Sequence, residues 1–147
     1  MITAEQTTKQ KDLLPMGWGR FGKAIDHLIE ASTDDETLLA ACVTLNPTFQ
    51  HHTISLPGGL YEMTKSTNVV LAVTDRRVII VSTGVGGAPR EHQEIAFDGL
   101  QIVNHDKRDI TIRWPEGEAT FKGAAKPMLP PLVAALTAQL GPSGSTG

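Results

Sequence analysis

Two runs of Val, Ile and Leu, separated by a charged tetrapeptide, restrict the fold of this chain more than any other feature. They lie in TNVVLAVTDRRVIIVST, residues 67–83, where Thr74-Asp75-Arg76-Arg77 divides them. Short β-branched runs bounded by turn residues are typical of strands. Asp is favoured in turns because its carboxylate accepts hydrogen bonds from nearby backbone N–H groups. The stretch predicts two antiparallel strands joined by a solvated turn with Asp75-Arg76 at its corner.

Several other short segments have the same character, with turn residues between them. The predicted strands are 38–45, 68–74, 77–82, 90–97, 100–105, 109–114 and 118–122. Closely spaced strands of this kind indicate a meander that closes into a barrel or sandwich. Residues 34–42 are compatible with both a strand and a helix, since TDDE at 33–36 also fits a capping box, which marks the start of a helix. We favour the strand because β-segments follow.

Two segments have the apolar spacing of an amphipathic helix. In 20–31 the apolar stripe contains Phe21, Ala24, Ile25, Leu28 and Ile29. In 128–140, prolines occupy a first turn that tolerates them and Gly141 supplies a stop signal. We therefore predict the α+β class, mainly β: a seven-stranded antiparallel barrel or sandwich with a C-terminal helix and an extra N-terminal amphipathic helix.

The predicted domain organisation follows from these elements. Residues 1–12 are polar and without apolar periodicity, and 141–147 are rich in Gly and Ser. Both ends are predicted to be flexible tails. Residues 13–140 then form a single domain with a barrel over about 38–122, which suits a chain of 147 residues.

The charge balance and the cysteine content exclude several classes of protein. The net charge is -3 and the sequence pI is near 5.9, whereas nucleic-acid binding needs clustered Lys and Arg. Cys42 is the only cysteine, so no intramolecular disulfide or multi-cysteine zinc site can form. We expect Cys42 to be a buried thiol. The N-terminal residues lack the apolar core of a secretion signal, so the expected location is the cytoplasm.

The order of elements resembles that of pleckstrin-homology-like (PH-like) domains. The segments that carry the resemblance are LLAACVT (38–44), VVLAVTDRRVIIVS (69–82), EIAFDGLQIV (94–103) and the C-terminal helix. They are similar to bacterial PH-like domains of the YokE and GRAM-related type, whose strand pair meets at a similar Thr-Asp-Arg-Arg turn. The resemblance covers about Leu38 to Leu140. It implies a platform that binds phosphoinositides, peptides or sister subunits.

The resemblance also directs attention to the loop between the first two strands, where lipid-binding relatives concentrate basic residues. In this chain the corresponding region is 46–67, and Lys65 is its only Lys or Arg. Arg76 and Arg77 add a weak anion contact at the hairpin turn. Membrane-lipid binding is therefore a disfavoured alternative.

No residues have the spacing of a known reaction centre or cofactor site. STGVGGAPR (82–90) departs from the dinucleotide fingerprint, because Pro89 replaces the third glycine and a strand follows, so we predict a flexible hairpin loop. His51-His52 has no further ligands at metal-site spacing. A G-x-S-x-G elbow is missing. We expect no catalytic residue, metal or cofactor.

The segment 46–66 is the best candidate for a binding surface. It is long for a connection in a compact domain, yet it contains Phe49, Tyr61 and Met63, residue types that are enriched in protein interfaces. We predict that these three form an apolar patch with His51 and His52 at its rim. The alternative is that the segment packs on its own domain.

Together these observations predict a non-enzymatic PH-like module for interaction or assembly, which binds protein partners or associates with itself. The alternative is a peripheral domain that binds phosphoinositides or other anionic lipids. A small hydrolase without a recognisable motif comes third.

Overall fold

The computed structural model describes the backbone of residues 1–51 and 68–141 and, within these ranges, the side chains other than those of 46–51 and Val85. The helices are α1 (Ala4–Lys11), α2 (Gly22–Ala31) and α3 (Leu129–Leu140). The strands are β1 (Leu38–His51), β2 (Asn68–Thr74), β3 (Arg77–Thr83), β4 (Pro89–Ala96), β5 (Gln101–His105), β6 (Ile110–Trp114) and β7 (Gly117–Lys122).

All seven strands belong to one antiparallel sheet in the order β4-β3-β2-β1-β7-β6-β5. β1 is shared by the two halves of the sheet: it pairs with β2 up to Leu45 and with β7 from Leu45 to His51. The register shifts between Leu45 and Thr48, where Pro47 has no N–H to donate to a ladder. The predicted α+β class is confirmed, and the ambiguous segment is a strand from Leu38. The sheet is not closed, since its edge strands β4 and β5 are not neighbours.

The central strands β2 and β3 are covered on both faces. Every residue from Val69 to Thr74 and from Val78 to Thr83 is buried, although successive side chains of a strand point to opposite faces. Helices α1 and α2 pack against β1, β3 and β4, and α3 packs against β1, β2 and β5. Strands enclosed in this way have continuous apolar runs in place of alternation, which explains the pattern at 69–82.

Helices α2 and α3 lie where the apolar spacing predicts them. The stripe residues Ala24, Ile25 and Leu28 of α2 are fully buried. In α3 the buried residues are Leu129, Leu132 and Leu136. Gly141 ends α3 with a φ of 70°, a conformation that glycine adopts without the steric cost of a Cβ atom.

The expected flexible N-terminal tail is wrong, because residues 4–11 form helix α1. Thr3 and Gln6 form a reciprocal capping box: each backbone N–H donates to the other residue's side chain. Ile2 is only 1% exposed, and Lys11 forms a 3.0 Å ion pair with Asp26 of α2. The helix has a polar sequence and is attached mainly by hydrogen bonds, so apolar periodicity does not reveal it. The C-terminal tail beyond 141 lies outside the described residues.

Helix α1 also covers the free side of β1. The backbone N–H groups of Leu38 and Ala41 donate to the side-chain oxygens of Gln6 and Gln10, each at 3.1 Å. In its first half, β1 pairs with β2 on one side only. Its pairing with β7 on the other side begins at Leu45. Two glutamines one helical turn apart thus replace part of a missing strand.

Candidate functional site

The tetrapeptide 74–77 is the turn that the sequence predicts. Asp75 and Arg76 lie between β2 and β3. The Thr74 hydroxyl accepts hydrogen bonds from the backbone N–H groups of Arg76 and Arg77, both at 3.1 Å. Arg76 is a surface residue, with 52% of its side chain exposed and an ion pair of 3.8 Å to Asp35. The prediction of a solvated turn is therefore confirmed for Arg76.

Arg77 is not solvated, and in this respect the prediction is wrong. Its guanidinium donates from Nε and Nη2 to the two oxygens of Glu36, at 2.9 and 2.8 Å. Nη2 also donates to the carbonyl oxygen of Ala31 at 2.7 Å, and Nη1 lies 2.5 Å from Glu94 Oε1. With two carboxylates and a helix C-terminus already bound, this guanidinium is not available as the weak anion contact that we expected.

Glu36 is the buried counterpart of Arg77, and the sequence does not distinguish it from any other carboxylate. Its residue exposure is 1%. Burial acts to raise the pKa of Glu36, but hydrogen bonds from Arg77, Thr74 and the Thr33 backbone outweigh it, and the pKa is lowered. The ionised carboxylate accepts a hydrogen bond from the Thr74 hydroxyl at 2.6 Å. This network joins α2, the 33–36 turn, β3 and β4, and its chemistry is that of a structural clamp.

The glycine-rich loop joins β3 to β4 as the predicted hairpin loop, but it is packed against another segment and is not the flexible loop that we expected. Val85–Gly87 form a short 3-10 turn, and both Gly86 and Gly87 have positive φ. A methyl group on Gly87 would lie 2.6 Å from the Arg20 carbonyl oxygen. The loop is therefore packed tightly against the segment that precedes α2.

The histidines that the structure brings together differ from the pair in the sequence. His27 Nε2 of α2 lies 3.3 Å from His92 Nδ1 of β4, and His27 Nδ1 lies 3.3 Å from Glu30. The contact between His27 and His92 is a ring-to-ring hydrogen bond whose donor depends on the tautomer, and it links the helix to the edge strand. No group of three or more His, Cys, Asp or Glu side chains within the described ranges could hold a metal ion.

Cys42 is a buried thiol, as predicted. Its side chain is in the core, and desolvation by burial raises its pKa to about 12. A thiol with that pKa has almost no thiolate at neutral pH.

The predicted apolar patch cannot be placed. The backbone of Phe49 and His51 belongs to β1, opposite Ala119 and Gly117 of β7. The side chains of those two residues lie outside the described part of the chain, and so do His52, Tyr61, Met63 and Lys65 as a whole. The patch and its contacts remain a prediction.

The strand β4 forms an open edge of the sheet. It pairs with β3 through five consecutive residues, His92 to Ala96, and no other strand of the described chain pairs with it. Alternate N–H and C=O groups of such a strand point away from its neighbour. The free side of β1 is covered by glutamines of α1, and β4 has no equivalent cover among the described residues.

A cleft of about 420 Å³ lies beside this edge. Its lining comes from the end of β4, the following turn and the β6–β7 turn: Gln93, Glu94, Ile95, Ala96, Asp98, Trp114, Pro115 and Glu116. The two turns meet closely, since a methyl group on Gly99 would lie 2.8 Å from Pro115 Cγ. Gly99 has a φ of 78°, so both its conformation and its contact with Pro115 require glycine.

Comparisons with known proteins find solved structures of low similarity. No protein-family model and no curated protein sequence matches the chain. The C-terminal domain of an unknown protein from Leishmania infantum is similar at 16% identity and a TM-score of 0.43, over 83% of this chain and 95% of that one. The hSac2 domain from human phosphoinositide phosphatase Sac2 is similar at 14% identity and a TM-score of 0.43, over 78% of this chain and 80% of that one. These values carry no argument about function.

One property bears on membranes. Within residues 1–51 and 68–141, no helix is long and apolar enough to cross a bilayer.

Proposed function

We propose that this protein is a non-enzymatic, PH-like interaction module of the cytoplasm, which binds an extended segment of a protein partner along β4. The observation that carries the proposal is the open edge at β4 in a sheet that is not closed. An edge strand offers a row of backbone donors and acceptors, and an added strand satisfies them. A second copy of this chain is one partner that such an edge can accept.

The geometry favours β4 over the edge at the other end of the sheet. β5 has only five residues, and its register with β6 shifts between Ile102 and Asn104. Short edge strands and bulges hinder the addition of a further strand. β4 has eight residues, and the part next to the cleft is in continuous register with β3.

The PH-like part of the proposal rests on the architecture. Seven antiparallel strands, followed by a C-terminal helix that packs against β1 and β2, agree with the order of elements in that superfamily. The lipid-binding alternative has less support, because Arg77 is bound to carboxylates and Arg76 is the remaining Arg of the turn.

A selection from a random display library of linear peptides tests the function. The edge is blocked with proline, which removes an N–H from the strand. Successive amides of a strand point to opposite sides, so only one of Gln93→Pro and Ala96→Pro removes an outward N–H. The other breaks a bond to β3. The variant that keeps the wild-type melting temperature is the one that has lost an outward N–H, and it serves as the variant with a blocked edge.

We expect peptides selected on the wild-type protein to lose binding to the blocked variant. In spectra of the ¹⁵N-labelled wild-type protein, the same peptides should shift the amide signals of residues 92–96. This second measurement decides the matter even if both proline variants unfold. Peptides that bind elsewhere, with no change at 92–96, would contradict the proposal, as would a selection without binders.

A further inference from the structure

The cleft beside β4 has a single sign of charge. Its charged lining residues are Glu94, Asp98 and Glu116, and neither Lys nor Arg lines it. Asp98 and Glu116 are exposed and form no ion pair with another described residue. These carboxylates come from β4, from the turn after it and from the β6–β7 turn, so two separate segments of the chain supply the negative charge of the cleft.

We propose that this edge selects basic partners: extended segments in which an Arg or Lys side chain enters the cleft while the backbone pairs with β4. The inference rests on the proposed function and adds the chemistry of the partner. Charge complementarity supports it, because opposite potentials across an interface direct association and exclude partners of the wrong sign.

Glu94 belongs to both the clamp and the cleft. Its Oε1 lies 2.5 Å from Arg77 Nη1, and its side chain is 47% exposed. Arg77 neutralises part of this carboxylate, so the attraction for a partner's cation comes chiefly from Asp98 and Glu116. Both can be replaced without breaking an interaction of the described core.

The walls of the cleft suit the aliphatic part of a basic side chain. Ile95 and Trp114 line the cleft but are only 6% and 4% exposed, so the exposed Ala96 and Pro115 supply the apolar surface that a partner can reach. Arg and Lys place their methylene stems against apolar surfaces and keep the charged group in polar surroundings. A cleft lined by both apolar residues and carboxylates matches that division.

The carboxylates also limit unwanted pairing. An open edge strand is a template for any extended chain, and charged side chains at an edge reduce this tendency. Acidic or purely apolar segments would gain the backbone hydrogen bonds but no ionic contact, and acidic ones would be repelled. Selection by charge therefore makes the open edge compatible with a soluble domain.

Three synthetic dodecapeptides test this inference. In each, Thr alternates with a second residue, which is Arg, Gln or Glu. Their binding is measured by fluorescence anisotropy and by amide shifts of residues 92–96. We expect the Arg peptide to bind at least about tenfold more tightly than the Glu peptide. The preference should weaken as salt rises from about 0.05 to 0.3 M.

The double variant Asp98→Asn/Glu116→Gln should weaken binding of the Arg peptide about fivefold, as expected for two exposed charges. It should leave the Gln peptide unaffected. The matched control, Glu5→Gln/Asp12→Asn, removes the same charge from α1 and the residue after it, which do not line the cleft. An equal loss in the control would mean that net charge acts at a distance, and would overturn the inference.

The two proposals fail in different ways. Equal binding of all three peptides, with shifts at 92–96, would reject charge selection and keep strand addition. Binding of the Arg peptide without shifts at 92–96 would reject the inference too. If none of the three binds, the inference is wrong, and the library selection still decides the proposed function.

Discussion

Arg77 and Glu36 form a two-point ion pair between β3 and the turn after α2, with N–O distances of 2.9 and 2.8 Å. The side chain of Glu36 is 0% exposed and that of Arg77 is 13% exposed. Taking one partner from a buried pair leaves an uncompensated charge, which costs far more than the loss of a surface pair. This relationship makes the two adjacent arginines of the hairpin turn energetically different.

We therefore predict that Arg77→Ala lowers the free energy of unfolding by about 3 kcal/mol or more. Arg76→Ala is the matched control and should change it by only a few tenths of a kcal/mol, as for other exposed residues. Urea denaturation followed by circular dichroism measures both values. Similar small effects for the two variants would show that the buried pair does not form.

The same pair predicts a dependence of stability on pH. The pKa of Glu36 in the folded protein is below its ordinary value of 4.5, so the unfolded state takes up the proton first as pH falls. The stabilisation by ionised Glu36 is thus fully present above the ordinary pKa and is lost as pH falls through the folded-state pKa.

Urea denaturation at neutral pH and at about pH 3.5 tests this. The difference in unfolding free energy between the wild-type protein and Glu36→Gln should shrink towards the acid end. Glu116→Gln, which removes an exposed carboxylate, is the control for the loss of one negative charge. A constant difference for Glu36→Gln would contradict the assignment.

Cys42 should not react with thiol reagents in the native state. Its burial and its pKa of about 12 leave neither access nor thiolate at pH 8. Ellman's reagent should label it only when urea unfolds the protein, with a midpoint equal to that from circular dichroism. Rapid labelling of the native protein would contradict the packing around β1.

The adjacent glycines of the 84–88 loop allow a controlled test of its packing. Gly86 and Gly87 have φ of 74° and 82°, so alanine carries a similar backbone cost of about 1–2 kcal/mol at either position. Space around Gly86 is open, whereas Gly87 contacts Arg20. Gly87→Ala should therefore destabilise by at least about 1 kcal/mol more than Gly86→Ala. Equal melting temperatures would show that the loop is free.

The attachment of α1 to β1 can be measured through its glutamines. Gln6→Ala and Gln10→Ala should each cost about 1 kcal/mol, because each leaves a strand N–H without its acceptor. Amide exchange at Leu38 and Ala41 should become faster in the respective variant. Gln139→Ala is the control, since Gln139 is exposed on α3. If α1 were a flexible tail, all three variants would behave alike.

Part of the fold could be predicted because its signals are local. The runs at 69–73 and 78–82 with a turn between them predict a hairpin, and the spacing in 20–31 and 128–140 predicts two of the helices. Helix α1 could not be predicted in this way. Its sequence is polar, and it is held by contacts such as Gln6 to Leu38, 32 positions away.

Less of the candidate site than of the fold could be predicted from the sequence. Arg77 and Glu36 are 41 positions apart, and the cleft combines residues from the end of β4 with residues of the β6–β7 turn. The sequence by itself determined where strands, turns and amphipathic helices form, since periodicity and turn chemistry depend on neighbours along the chain. Only the tertiary structure decided which charges are buried together and which strand edge has no partner strand among the described residues, because these depend on packing between distant segments.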